Sequence, residues 1–262
     1  LKPVVSIYST FLQRAMDQVI HDVAIMNLPV LFGIDRGGLV EDGETHQGVY
    51  DISYLRAIPN FTVLAPRDAV ELRNMVFTAV KEGAGPVAIR FPRDKAVSAS
   101  ELEQLKERLG PVKSFSPVPC CKWEVLEPGD GKNIILAYGS MVEIARRALP
   151  AMAGEYGVSP MLVYARSAKP MDENLLKDLL GRSQARIVTL EEGVMAGGFG
   201  AGVMEFASQL RFQDPCRRLA DVSVIALPDQ FIEHGARPIL LDMVGLSEAA
   251  LTRKLGPFFT AC

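Results

Sequence analysis

The sequence predicts an α/β protein of two doubly wound α/β domains with mainly parallel sheets. Two patterns carry this expectation. Short, continuously apolar runs alternate with segments whose apolar residues recur at helical spacing, the rhythm of strand–helix–strand units buried on both faces. The rhythm holds from residue 1 to about 95, lapses across 96–120, and resumes over 121–262, which divides the chain into two domains and a linker.

In the first domain Val4–Tyr8 reads as a strand, and Thr10 is placed to cap a helix in which Leu12, Ala15, Met16, Val19, Ile20 and Val23 share a face. Val30–Ile34 is a short buried strand, followed by a Gly-rich loop from Asp35 to Gly48. Phe61–Leu64 is the next strand, and Asp68 caps a helix carrying Val70, Leu72, Met75, Val76 and Ala79. Gly83–Pro86 ends that helix before a fourth strand, Val87–Phe91. Within the linker, Glu101–Leu109 predicts a short polar helix. The second domain has expected strands at Trp123–Leu126, Ile134–Tyr138, Met161–Tyr164, Ile187–Leu190 and Val222–Ala226. Helices are expected at Val142–Met152, Asp172–Leu180, Phe199–Leu210 and Ser247–Leu255, the first bent or shortened by Pro150.

Composition narrows the function classes. The 28 basic and 31 acidic residues leave a net charge of −3, with no basic stripe, which argues against a nucleic-acid partner. No apolar run approaches the roughly 18 residues of a membrane helix. The four cysteines match neither a disulfide framework nor zinc spacing, so a reducing, cytoplasmic setting is expected. The chain starts with Leu1 and runs at once into a strand, which reads as the C-terminal part of a longer protein.

Ligands of open parallel sheets bind beyond the carboxyl ends of the strands. That rule gathers Tyr8 and Ser9, Asp35 and Arg36, and Pro92 and Arg93 on one rim, together with the loop that carries Asp42 and His46. An imidazole beside a carboxylate, near two guanidiniums, suits proton transfer on an anionic substrate. Arg36 and Arg93 read either as a clamp on a phosphate or carboxylate, or as solvated partners of Asp35 and Asp94. Phe11 reads as core, or as a stacking face for an aromatic cofactor ring. His21 reads as a surface or packing residue, and His234 lies in a loop able to approach the site mouth. Gly129-Asp130-Gly131 is expected to form a turn. The run Gly197–Gly202 is expected to allow close packing at a strand-to-helix corner, where the preceding Glu191-Glu192 disfavours an anion.

These residues carry a resemblance. Tyr8–Ala15 with Asp17-Gln18-Val19, Asp35–Val40, Asp42–Gly48 and Arg90–Arg93 resemble the 1-deoxy-D-xylulose-5-phosphate synthases of the transketolase superfamily. The resemblance continues through Ala137–Ser140, Ala168–Asp172, Glu191-Glu192 and Leu227–Asp229. It implies a thiamin-diphosphate pyrimidine-type domain, incomplete at its N-terminus, followed by a transketolase C-terminal-type domain. It implies condensation of pyruvate with D-glyceraldehyde 3-phosphate in isoprenoid precursor synthesis, by a homodimer using thiamin diphosphate and Mg2+. On this chain Phe11, Tyr8 and Arg14 would contact the cofactor. Asp42 and His46 would bind substrate and assist proton transfer with Tyr8 beside them, and Arg36 and Arg93 would hold the acceptor phosphate.

Two departures accompany it. The family's catalytic glutamate, and the N-terminal domain that holds magnesium and diphosphate, precede the Val4–Tyr8 strand, so the chain alone is expected to be inactive. The family pattern also has a glycine between Val40 and Glu41, which here adjoin. The alternatives are another transketolase-like enzyme, a 2-oxo-acid dehydrogenase β-type subunit, or a non-catalytic dimerisation or regulatory module.

Overall fold

A computed structural model describes residues 1–95 and 115–260. The predicted polar helix at Glu101–Leu109 and most of the predicted linker lie outside the described residues. In the first domain, strand β1 (Val4–Tyr8) leads into a helical stretch that changes type along its length. It comprises α1 (Ser9–Leu12), a 3-10 turn (Gln13–Ala15), α2 (Met16–Gln18) and a π-helical turn (Val19–Ala24). Strands β2 (Leu31–Asp35), β3 (Thr62–Leu64) and β4 (Val87–Arg90) follow, with helices α3 (Asp51–Ala57) and α4 (Ala69–Glu82) between them. Asp68 caps α4 as expected, its side chain accepting from the Glu71 N–H at 2.9 Å. Thr10 does not cap the first helix. That helix starts at Ser9, and the Thr10 hydroxyl donates instead to the Thr45 carbonyl at 3.1 Å.

The second domain contains β5 (Glu124–Glu127), β6 (Asn133–Tyr138), α5 (Met141–Tyr156), β7 (Met161–Ala165), β8 (Ser167–Lys169) and α6 (Glu173–Leu180). It continues with β9 (Arg186–Val194), α7 (Phe199–Gln213), β10 (Asp221–Leu227), α8 (Arg237–Met243) and α9 (Glu248–Thr260). Helix α5 runs through Pro150 to Tyr156 rather than stopping short, and ends at Gly157 in the left-handed conformation. The missing Pro150 N–H removes one helical bond, which the burial of Val142, Ile144, Ala145, Ala148 and Met152 outweighs.

Strand order in the first sheet is β1-β2-β4-β3-β8, and in the second β10-β9-β6-β7-β5. Pairing is parallel except for β8 on β3 and β5 on β7. Strand β8, which the periodicity did not predict, belongs in sequence to the second half and completes the sheet of the first. The Tyr164 hydroxyl donates to the Ala65 carbonyl at 2.8 Å, and the Lys169 ammonium donates to the carbonyls of Arg56 and Ile58, fixing the same seam. Two apolar cores result, each drawing on both halves: Phe32, Val63, Leu136 and Phe199 in one, Leu64, Ile89, Ile135 and Leu190 in the other. No helix among the described residues is long and apolar enough to cross a membrane.

Candidate active site

The rim at the carboxyl ends of β1, β2 and β4 gathers most of the residues that the sequence nominated. Strands β1 and β2 end side by side at Tyr8 and Asp35, and Arg36 follows in a left-handed backbone conformation, φ +55°. A non-glycine residue held there is strained, and the side chain that leaves this turn lies back across the rim. Its guanidinium lies 4.1 Å from the Tyr8 ring centroid and donates to the Tyr8 hydroxyl at 2.9 Å. That hydrogen bond, with the neighbouring charges, raises the Arg36 pKa above its ordinary value.

The loop from Arg36 to Gly48 is closed at its base by reciprocal backbone bonds between Gly38 and Gly48, 2.7 and 2.9 Å long. Gly37 N–H donates to the Phe91 carbonyl at 2.9 Å, tying that base to the exit of β4. The closed loop brings Asp42 back over the rim, where its Oδ2 accepts from Arg36 at 3.1 Å and from Arg93 at 3.1 Å. Arg36 and Arg93 therefore converge on Asp42 instead of pairing with Asp35 and Asp94. One Asp35 oxygen is buried without a partner, and burial raises that carboxyl above its ordinary value. Asp94 pairs with Arg237. Two guanidiniums on one carboxylate leave a net positive locus suited to an anion.

Aromatic residues form the other side. Phe11 is 38% exposed rather than core; its ring stacks on Tyr8 with centroids 5.4 Å apart and meets His46 edge-on at 5.5 Å. The His46 Nδ1 lies 2.9 Å from the Thr45 hydroxyl. Tyr8, Phe11, Arg36, Asp42, His46 and Arg93 thus form one connected cluster from three segments of chain. Arg14 lies exposed on the 3-10 turn beyond Phe11 and is not among the contacts of that cluster. His21 is exposed beside Asp17. His234 packs against Gly43, and the Gly235 N–H donates to the Glu41 carbonyl at 3.2 Å, so its loop buttresses the segment bearing Asp42.

Beneath the rim lies a buried ionic layer that the sequence reading missed. Arg90 donates to Asp51 at 2.9 Å and to the carbonyls of Gly48 and Glu192 at 3.1 Å. Glu192 accepts from Arg237 at 2.5 Å and from the Leu39 N–H at 2.8 Å. The available signal was two adjacent carboxylates inside the otherwise apolar run Ile187–Val194, since charged residues are buried there only when paired. Strand β9 extends through both of them rather than ending at Leu190. Glu191 accepts from the N–H groups of Phe199 and Gly200 at the start of α7, so a carboxylate already occupies that helix end, as the glycine-run reading implied. Gly129–Gly131 forms a turn around Asp130, which accepts from the N–H groups of Lys132 and Asn133.

Comparison with known proteins defines the class. Residues 1–97 match the transketolase pyrimidine-binding domain, and residues 122–251 match the transketolase C-terminal domain. The chain belongs to the transketolase family. Within it, the chain is 44% identical, over 97% of its length, to the 1-deoxy-D-xylulose-5-phosphate synthase of Geobacillus thermodenitrificans. Over the same share it is 43% identical to the synthase of the same name from Bacillus licheniformis and 42% to that from Halalkalibacterium halodurans. It spans about 38% of the length of these relatives. A solved structure described as a split gene transketolase, inactive beta4 tetramer, superposes with a TM-score of 0.77 at 26% identity, covering 96% of this chain and 74% of that one.

Proposed function

We propose that this chain is the pyrimidine-binding and C-terminal part of a thiamin-diphosphate enzyme that condenses pyruvate with D-glyceraldehyde 3-phosphate, giving 1-deoxy-D-xylulose 5-phosphate and carbon dioxide. Its two domains divide at about residues 95 and 121. The observation that carries this reading is the convergence of Arg36 and Arg93 on Asp42 beside the exposed Phe11 ring.

The chain's residues fit part of the cofactor. The open Phe11 face, backed by Tyr8, offers a stacking surface for a flat heteroaromatic ring; we assign Arg14, on the turn that follows, to the same cofactor. Among the described residues no group of three or more His, Cys, Asp or Glu is arranged to hold a metal ion. We assign magnesium and the diphosphate to the N-terminal domain that the family resemblance implies. Thiamin diphosphate, when bound, supplies the nucleophilic carbon that attacks the keto group and accepts the electron pair released with carbon dioxide.

The chain's own residues bind, orient and move protons. Arg36 and Arg93 hold the phosphate of the acceptor, displacing part of their attachment to Asp42. The freed Asp42 oxygen accepts from an acceptor hydroxyl. The His46 imidazole, held through Nδ1 by Thr45, donates a proton to the aldehyde oxygen as the carbon–carbon bond forms. The Tyr8 hydroxyl, accepting from Arg36, keeps that guanidinium in place for the phosphate. Phe11 and Tyr8 exclude water from the same space.

A structural neighbour is described as a split gene transketolase, inactive beta4 tetramer. We assign this chain a dependence on the N-terminal domain for turnover, within a dimeric assembly. The test compares the purified chain with the chain mixed with the N-terminal part of a relative, thiamin diphosphate and Mg2+. Product from D-glyceraldehyde 3-phosphate and pyruvate only in the mixture is the expected result. Turnover by the chain alone, or transfer to a lipoyl domain in preference to the phosphorylated aldehyde, would overturn it.

A further inference from the structure

Strand β9 places Glu191 and Glu192 on opposite faces, as successive strand residues must be. Glu191 is absorbed by the start of α7. Glu192, only 1% exposed, faces the first domain, where its Oε1 accepts from the Leu39 N–H, while its Oε2 accepts from Arg237 of its own domain. Arg237 spends its other terminal nitrogen on Asp94 at 2.5 Å, the neighbour of Arg93. One buried carboxylate–guanidinium pair thus grips the loop that carries Asp42, through Leu39, and the arm that carries Arg93, through Asp94. Gly38 makes the close approach feasible. Its φ is +104°, and a Cβ there would stand 2.5 Å from the Glu192 carboxyl carbon.

We propose that Glu192 and Arg237, both supplied by the second domain, are positioning residues that set the spacing between Asp42 and Arg93 and hence the fit of the site to a phosphorylated acceptor. The proposal deepens the reading above and rests on it for the identity of the ligand. A buried ion pair is weak evidence for a stabilising role, because well-packed apolar residues of like volume serve stability as well or better. An apolar pair would have no acceptor for the Leu39 N–H and no donor for Asp94. Both residues act on the site through those two contacts.

The test has two arms. On the chain itself, Glu192→Met, which keeps the volume but has no oxygen to accept from Leu39, should speed hydrogen exchange of the Leu39 amide at least tenfold; unchanged exchange there overturns the proposal. In the reconstituted assembly the same variant should raise KM for D-glyceraldehyde 3-phosphate about tenfold, with kcat and KM for pyruvate within threefold. The double variant Glu192→Met/Arg237→Met removes both charges and both hydrogen-bonding ends together, so it keeps the proposal testable if the single variant fails to fold. Its melting temperature should return to near that of the parent while the acceptor KM stays raised. Recovery of acceptor KM together with stability would show a merely structural pair and overturn the proposal. A parent assembly that makes no product refutes the assigned reaction, whereas the Leu39 exchange decides the positioning role by itself.

Discussion

Asp42 is the residue on which the site's charge turns. Alone, Arg36 and Arg93 would repel each other; between them Asp42 holds two guanidiniums within reach of one ligand. Replacing Arg93 by Ala removes one charged donor, a loss of about 1.5–3 kcal/mol where the acceptor is itself charged. Steady-state kinetics of the assembly should show KM for D-glyceraldehyde 3-phosphate raised at least tenfold, and KM for pyruvate changed less than threefold. Glu191 carries a different prediction. Burial, partly offset by the N–H groups of Gly200 and Phe199, pushes its pKa up to about 7 from an ordinary 4.5. Because the folded form holds the proton more tightly, this residue's contribution to stability is fully present below about pH 4.5 and is lost as pH rises through 7. The total is roughly 3 kcal/mol. Melting temperature against pH should fall across that window, and Glu191→Gln should flatten the slope; an unchanged slope refutes the assignment. At this scale Tyr8, Arg36, Asp42, His46 and Arg93 were legible because strand ends can be read from apolar runs, and ligands bind beyond them. Glu192 and Arg237 were not, since their partners lie more than 140 positions away in Leu39 and Asp94.

Among the elements, the clearest control is the corner between β9 and α7. A Cβ at Gly200 would stand 2.4 Å from the Thr189 hydroxyl oxygen and 2.7 Å from a Val224 methyl, both on short β-branched side chains with little freedom to move aside. Gly200→Ala should therefore cost about 1–3 kcal/mol and lower the melting temperature by several degrees. Gly154, inside α5 with nothing within 4 Å of an added Cβ, is the opposite case. Gly154→Ala should stabilise by up to about 1 kcal/mol through helix propensity alone. Calorimetry on the pair separates crowding from backbone freedom. The existence and type of most elements followed from periodicity, while their ends did not. Helix α5 outran Pro150 because its buried face outweighed one lost bond. Strand β9 outran Leu190 because Arg237, Leu39 and the start of α7 were there to receive its carboxylates.

Across the whole molecule, the two domains are distinct in sequence but share a sheet edge and two cores. Residues 1–95 produced alone would expose β3 and bury no partner for Leu64 or Ala65. They should aggregate or melt without a cooperative transition, whereas a nicked chain with both parts present should melt as one unit. Independent, cooperative melting of 1–95 would refute this. By itself the sequence determined two α/β halves, a rim bearing Tyr8, Arg36, Asp42, His46 and Arg93, and kinship to the transketolases, because apolar periodicity and local motifs are encoded within a few residues. Only the tertiary structure decided that β8 crosses into the first sheet, that Asp42 bridges both arginines, and that Glu192 and Arg237 brace the rim from below. Those outcomes rest on which distant segments exclude water from one another, a property no local stretch of chain contains.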